Sequence, residues 1–362
     1  MTALVQPLEP AQATVRGRRQ VFVCGDLHNL GDLKLLLQNL ALTRGRGGLV
    51  RRWAPLPEMV IRQVQAAGGE VLSGKAIFAF SRRAFGAEVV FGGGQLVRDN
   101  VSIPSLLGLL LASLSARLGG GRLVTRGLGV STIRSPLRRL LWRAVLANCA
   151  RINLRDHASA RNLARILPGK AHAVNADMVF LPPPSGSVAA RGGRERRWIV
   201  VAPCVDGSEG RSLEGDALDA VMAAAVRALP GARLAVACHD PRERMDKAVA
   251  QRLVTRWPDR QVEVFDDYDL DALTELYRDA ALVVTNRLHS LIFAILAEAP
   301  ALAIEDGAAK VRVVADSFEI PVLPRDETAL AVGCVDAALA FDPELRARVR
   351  QDMARRAAKN LD

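Results

Sequence analysis

The chain has 362 residues, half of them apolar and only 4% aromatic, with a formal net charge of +11 carried mainly by arginine. That length exceeds one ordinary domain and suffices for two with sizeable cores, and the Ala/Leu/Val/Gly-rich balance suits parallel strands covered by helices. The charge attracts anions, but there is no RNA-binding signature, zinc-finger spacing or aromatic-studded basic stretch, so nucleic acid is excluded as the expected partner. The cysteines Cys24, Cys149, Cys204, Cys238 and Cys334 are scattered without C-x-x-C spacing. They read as reduced thiols, which excludes a disulfide framework and a zinc site.

Residues 1–19 hold no apolar stretch of signal-peptide type and read as a disordered lead-in. A strand at Gln20–Cys24, a turn over residues 25–32 and a helix at Leu33–Leu42 make the opening of a doubly wound unit. A helix at Pro57–Ala67 and strands at Glu70–Leu72 and Ala87–Phe91 follow, the last running into Gly92-Gly93-Gly94. The longest uncharged run, Asn100–Ala116, contains Pro104 and Gly108 and is shorter than the roughly 20 residues of a membrane span. Its helix, Leu106–Leu118, is expected to be buried, with shallow membrane contact as the other reading. Strand Arg122–Arg126 ends in Gly127-Leu128-Gly129, and helix Leu137–Ala150, strand Arg151–Arg155 and helix Ala158–Leu167 complete the first unit. A Pro/Gly/Arg-rich stretch at 182–197 reads as a linker.

The second unit starts at strand Trp198–Ala202. It continues through helix Gly215–Ala228, strand Arg233–Cys238, helix Arg242–Arg256, strand Gln261–Phe265 and helix Leu270–Arg278. Strand Ala281–Thr285, helix Arg287–Glu298, strand Ala301–Ile304 and helix Ala309–Phe318 follow, then closing helices near Thr328–Leu339 and Pro343–Lys359. The expected division is 20–181, 182–197, 198–325 and 326–362, with the last helix returning to the first domain. Two Rossmann-like domains would face a cleft lined by the carboxyl ends of both sheets, where ligands bind in such folds.

Chemistry is densest after Ala281–Thr285, an almost wholly apolar strand that ends in Asn286-Arg287-Leu288-His289-Ser290. Arg287 can clamp a carboxylate or phosphate through its planar fork, and His289 can carry a proton. The start of the following helix adds N–H groups aimed at an anion. Lys310, beyond the next strand, is expected in the same cleft. On the first unit, Gly31-Asp32 with His28 and Asn29 lie where strand becomes helix, and Asp32 either caps that helix or meets substrate hydroxyls. Gly93 and Gly94 suit close backbone approach, and Arg155 stands at a strand end where it can meet an anion. Asp156 or Ser159 can cap the helix after it. Asp267 and Asp269 form a D-x-D of the kind that holds a metal–nucleotide, but helix capping explains the pair more simply, and no bound metal is expected.

In this order, the Gly25…Asn29-x-Gly31-Asp32 opening, Gly92-Gly93-Gly94, Gly127-x-Gly129, Arg155-Asp156-x-x-Ser159 and above all Arg287-Leu288-His289-Ser290-Leu291-Ile292-Phe293-Ala294 resemble the polysaccharide pyruvyl transferase family. Asn175 to Phe180 and the downstream Pro300 and Lys310 add to the likeness, which spans roughly residues 20–325. The chain departs from the family in having Ala299 before the proline and no tyrosine ahead of the lysine. The resemblance implies a fold like two-domain (GT-B-like) glycosyltransferases. It implies phosphoenolpyruvate as donor, no redox cofactor, and a pyruvate ketal on a sugar diol, free or lipid-linked, as product. Arg287 and His289 would then be catalytic. Arg155, Lys310, Asp32, His28, Asn29, Gly31, Gly93, Gly94 and Ser290 would bind substrate. The expected location is cytoplasmic with peripheral contact at the inner membrane, through Arg138, Arg139 and Arg143. The competing readings are a nucleotide-sugar-dependent glycosyltransferase and a non-catalytic glycan- or anion-binding protein of polysaccharide export.

Overall fold

The computed structural model describes residues 18–43, 48–51, 54–72, 77–182, 196–205, 213–305 and 309–362. The lead-in and nearly all of the expected linker lie outside these residues. In chain order the first half carries β1 (Gln20–Val23), α1 (Leu30–Ala41), β2 (Gly48–Arg51), α2 (Glu58–Ala66), β3 (Gly69–Leu72) and α3 (Ile77–Ala84). It continues with β4 (Glu88–Phe91), β5 (Gly94–Val97), α4 (Ile103–Leu118), β6 (Arg122–Thr125), β7 (Leu128–Val130) and α5 (Pro136–Ala147). Then come β8 (Cys149–Arg151), β9 (Asn153–Leu154), α6 (His157–Ile166), β10 (Ala173–Val174) and a 3-10 turn at Met178–Phe180.

The second half runs β11 (Trp198–Ala202), α7 (Asp216–Ala228), β12 (Arg233–Ala237), α8 (Asp246–Arg256), β13 (Val262–Phe265) and α9 (Leu270–Arg278). It ends with β14 (Ala280–Thr285), α10 (Leu288–Leu296), β15 (Ala301–Ile304), α11 (Ala309–Ser317), β16 (Val322–Leu323), a 3-10 turn at Thr328–Leu330, α12 (Ala331–Leu339) and α13 (Pro343–Ala358).

Two six-stranded parallel sheets result, ordered β3-β2-β1-β4-β6-β8 and β13-β12-β11-β14-β15-β16. Each has the doubly wound order, whose topological switch point lies between its first and fourth strands. A further parallel sheet, β10-β9-β7-β5, is made largely of strands that resume after a bend. Gly93 and Gly94, at φ +96° and +74°, turn β4 into β5, and Gly127, at φ +62°, turns β6 into β7. These left-handed values favour residues without a Cβ.

The central strands are buried on both faces, as near-continuous Val/Ile/Leu/Ala runs require. Helix α13 packs on the first half: Arg356 donates to Asn175 O at 2.7 Å, and Asn360 Nδ2 to Ala176 O at 2.9 Å. Gly127 N donates to Asn360 Oδ1 at 3.0 Å.

Several boundaries differ from the sequence reading. Strand β2 went unread because it is short and ends in the charged, yet buried, Arg51. Helix α3 went unread because it is only eight residues long. Helix α1 starts at Leu30 because Asn29 caps it, its Oδ1 accepting from Gly31 N at 2.9 Å. Gly31 and Asp32 therefore lie in its first turn, and Asp32 is not the cap. Helix α8 starts at Asp246, not Arg242. Helix α4 is not wholly buried: Leu107, Leu111, Leu114 and Leu118 are exposed on its outer side.

Candidate active site

A cavity of about 310 Å³ opens between the two sheets at their carboxyl ends. On the second-sheet side, Thr285 Oγ1 donates to Ala202 O at 2.7 Å and accepts from Arg287 N at 2.9 Å, so the end of β14 is fixed to β11. Asn286 braces the neighbouring loop, accepting from Cys204 N at 2.7 Å. Arg287, 6% exposed, donates through Nη2 to both carboxylate oxygens of Asp246 at 2.5 Å and through Nε to Pro203 O at 3.2 Å. Burial lowers the Arg287 pKa, but the negative charge around it, Asp246 foremost with Cys204 and Asp240, more than offsets it and holds it above its ordinary value. Asp246 also accepts from Val205 N at 3.2 Å and Asp240 N at 2.8 Å. One buried carboxylate thus gathers the loops after β11, β12 and β14.

His289 sits in the first turn of α10 on the cavity wall. Its Nε2 is shielded from solvent and meets no hydrogen-bond partner among the described residues. Burial, then the charges of Arg155, Lys310 and Arg287, push its pKa down to about 3. The imidazole is therefore neutral at neutral pH. Its other edge rests on Gly31 of α1: a Cβ built there would lie 2.1 Å from His289 Nδ1. Lys310, in the first turn of α11, lines the same cavity.

On the first-sheet side, Asp32 lies over two glycines. A Cβ on Gly25 would fall 2.2 Å from its Oδ2, and one on Gly94 2.8 Å from its Oδ1. Burial raises the Asp32 pKa to about 6; Arg98 and Arg155 oppose the rise and Asp26 adds to it. Arg155 is buried and pairs with Asp156 at 3.1 Å and Asp177 at 3.4 Å, and it donates to Gln95. The glycine at 129 makes room for it, since a Cβ there would lie 2.9 Å from Arg155 Cζ. Asp156 also caps α6, accepting from Ser159 N at 2.6 Å.

The cavity thus brings together Arg287, His289, Arg155, Lys310, Asp32 and Asn29, with Gly31 and Gly94 behind them. Gly93 turns the chain beneath. Ser290 is fully buried and does not line the cavity. His28 does not line it either. Its Nδ1 is held by Asp26 at 2.9 Å and its ring meets Tyr268 edge-on, so it works in the contact between the two halves.

The D-x-D is spent on local structure: Asp269 accepts from Asp271 N and Ala272 N at 2.9 Å, and Asp267 from Asp269 N at 2.9 Å. The sequence reading missed Asp246, which looks like any first-turn acidic residue, and Arg98, whose placement depends on the β4–β5 bend. It also missed Arg242, which reaches Asp26 of the first half at 2.9 Å while bonding Asp240 through Nε at 2.7 Å. Leu30 N donating to His239 O at 2.8 Å is a second tie across the cleft.

The sequence profile of the polysaccharide pyruvyl transferase family matches residues 70–306. The chain belongs to that family. The matched span contains Arg155, Arg287 and His289 and leaves out Asp32 and Lys310. No curated protein matches the chain by sequence. Solved structures similar in fold include Anabaena HepE in complex with UDP and glucose, at 13% identity and TM-score 0.57, covering 96% of each chain. UDP-GlcNAc 2-epimerase from Neisseria meningitidis is 12% identical with TM-score 0.58, covering 94% of this chain and 96% of that one. The rhamnosyltransferase SpnG is 13% identical with TM-score 0.52, covering 94% and 98%. At such identities the likeness is one of fold: two Rossmann-like domains in the GT-B arrangement. No helix among the described residues is long and apolar enough to cross a membrane.

Proposed function

We propose that this pyruvyl transferase family member moves the pyruvyl group of phosphoenolpyruvate onto two hydroxyls of a sugar, releasing phosphate and forming a ketal. The observation that carries the reading is that Arg155, Arg287 and Lys310 line one cavity with His289, whose Nε2 meets no hydrogen-bond partner among the described residues. The donor carries a phosphate and a carboxylate, and guanidinium forks match both. Its charge opposes the field that keeps His289 neutral, so the imidazole gains a proton as the donor binds. His289 then delivers that proton to C3, C2 becomes electrophilic, and a sugar hydroxyl attacks it. Asp32, ionised above about pH 6, receives the hydroxyl's proton. Phosphate leaves, taking the proton held by Asp32, and the second hydroxyl closes the ketal as its proton returns to His289. The chemistry asks for no redox cofactor. The acceptor belongs to a polysaccharide or its lipid-linked precursor at the cytoplasmic face of the inner membrane.

The fold neighbours bound to UDP or a UDP-sugar support a second reading, nucleotide-sugar-dependent glycosyl transfer. The cavity volume of about 310 Å³ favours the smaller donor, lying at the low end of the roughly 300–1,000 Å³ usual for ligand sites. The experiment is a paired assay with one lipid-linked oligosaccharide acceptor: phosphate release from phosphoenolpyruvate, and UDP release from UDP-sugars. Mass analysis of the acceptor should show an added pyruvate ketal. UDP release without phosphate release would replace the proposal with the second reading.

A further inference from the structure

Helices α3, α4 and α5 cover one face of the first sheet, and their outer side is apolar. On α4 the inward row Leu106, Leu109, Ala112 and Ala116 is buried, while the outward row Leu107, Leu111, Leu114 and Leu118 is exposed at helical spacing. Phe78 and Phe85 of the α3 region are 84% and 63% exposed. Leu137 and Leu140 of α5 are 55% and 63% exposed. The helices are tied together. Ser115 donates to Ser81 O at 2.6 Å, Arg138 to Val101 O at 3.2 Å, and Arg117 to Asn148 Oδ1 at 3.3 Å. Exposed apolar side chains scattered singly need no explanation; a tied, contiguous face does.

The charge on this face has one sign. No Asp or Glu occurs from Asn100 to Arg155, nor anywhere in α3. Arg82, Arg117, Arg139 and Arg143 are exposed among the leucines and phenylalanines. We propose that the α3–α4–α5 face docks on the surface of an anionic lipid bilayer, its apolar rows entering the interface and its arginines meeting head-group phosphates. A second copy of the chain fits less well, because a two-fold contact would set the same arginines against each other. The face also starts at the cavity. Arg98 and Asn100 line the cavity just before α4 begins, and Ser135 N, at the head of α5, donates to Asp99 Oδ1 at 3.2 Å. A docked bilayer would therefore present a lipid-linked head group beside the site. Presentation of a lipid-linked head group rests on the proposed transfer reaction; the docking does not.

The test is co-sedimentation of the full chain with phosphatidylcholine vesicles, with and without phosphatidylglycerol, and without donor or acceptor. Binding should require phosphatidylglycerol and weaken with salt. Leu111→Glu and Leu118→Glu should each lower vesicle affinity by at least about tenfold, since each places a charge where an apolar side chain enters the interface. Arg82→Glu and Arg143→Glu should each lower it by roughly fivefold or more. Circular dichroism and thermal unfolding of these surface variants should match the wild type. Absence of wild-type binding to phosphatidylglycerol vesicles, or equal binding by the leucine variants, overturns the proposal. A concentration-dependent dimer in light scattering that Leu111→Glu abolishes, without vesicle binding, assigns the face to a second copy and overturns it equally. Because the vesicles carry no substrate, none of these results bears on whether pyruvyl transfer is the reaction.

Discussion

Replacing Gly31 by alanine should separate the two halves of the site by about one ångström and leave the rest of the protein intact. A Cβ there would lie 2.1 Å from His289 Nδ1, 2.3 Å from Cγ and 2.6 Å from Cβ. Rotating the imidazole relieves only the first two contacts. The third involves the atom that anchors the ring to α10, so α1 and α10 must move apart. That movement strains the Leu30 N to His239 O bond at 2.8 Å. Overpacking of this kind typically costs about 1–3 kcal/mol. A displacement of roughly 1 Å in a catalytic group can cost about 10²-fold in rate. Gly31→Ala should therefore unfold at a modestly lower temperature and turn over about a hundredfold more slowly in donor-dependent phosphate release. Gly333→Ala is the control: no atom of the described residues crowds that position, and it lies within α12. It should keep full activity and match or exceed wild-type stability. Wild-type turnover and stability in Gly31→Ala would refute the claim that this glycine seats His289.

His289→Ala should lower turnover by roughly 10²–10⁴-fold with donor binding less affected, and a folded variant that turns over normally would remove His289 as the proton carrier. Because the folded-state pKa of His289 is about 3 against an ordinary 6.5, its contribution to stability is intact above about pH 6.5 and erodes as pH falls toward 3. His289→Asn should shrink that acid loss, read as the denaturant midpoint against pH; parallel curves for the two proteins would contradict the burial argument. Asp246→Ala leaves the buried Arg287 guanidinium without its counter-ion and should cost about 3–5 kcal/mol in urea unfolding, with a loss under 1 kcal/mol counting against the pair as an organiser of the loops. Asp32→Asn should lose activity and abolish the acid limb near pH 6 in the rate profile, since the wild-type carboxyl must be ionised to accept a proton; an unchanged limb would assign it to another group.

Much of the fold was legible in the chain. The apolar runs at Trp198–Ala202, Ala280–Thr285 and Ala301–Ile304 can only be strands buried on both faces, and the helices between them follow from period and caps. The residues of the site were legible where a charged side chain followed such a strand, as at Arg155 and Arg287. Elements that carry little apolar signal of their own, β2 with its buried Arg51 and the eight-residue α3, were not.

Sequence alone determined most of the alternation of strand and helix, the places of Arg155, Arg287 and Lys310 after their strands and the absence of carboxylate from Asn100 to Arg155, because each is a property of consecutive residues. Tertiary structure decided the rest, because it depends on groups far apart in the chain meeting in space. It seated His289 on Gly31, paired Arg287 with Asp246, and drew His28 out of the site into contact with Asp26 and Tyr268. It also fixed the protonation of the site. His289 and Asp32 have ordinary pKa values as residue types, and only burial and the charges that folding gathers around them push one down to about 3 and the other up to about 6.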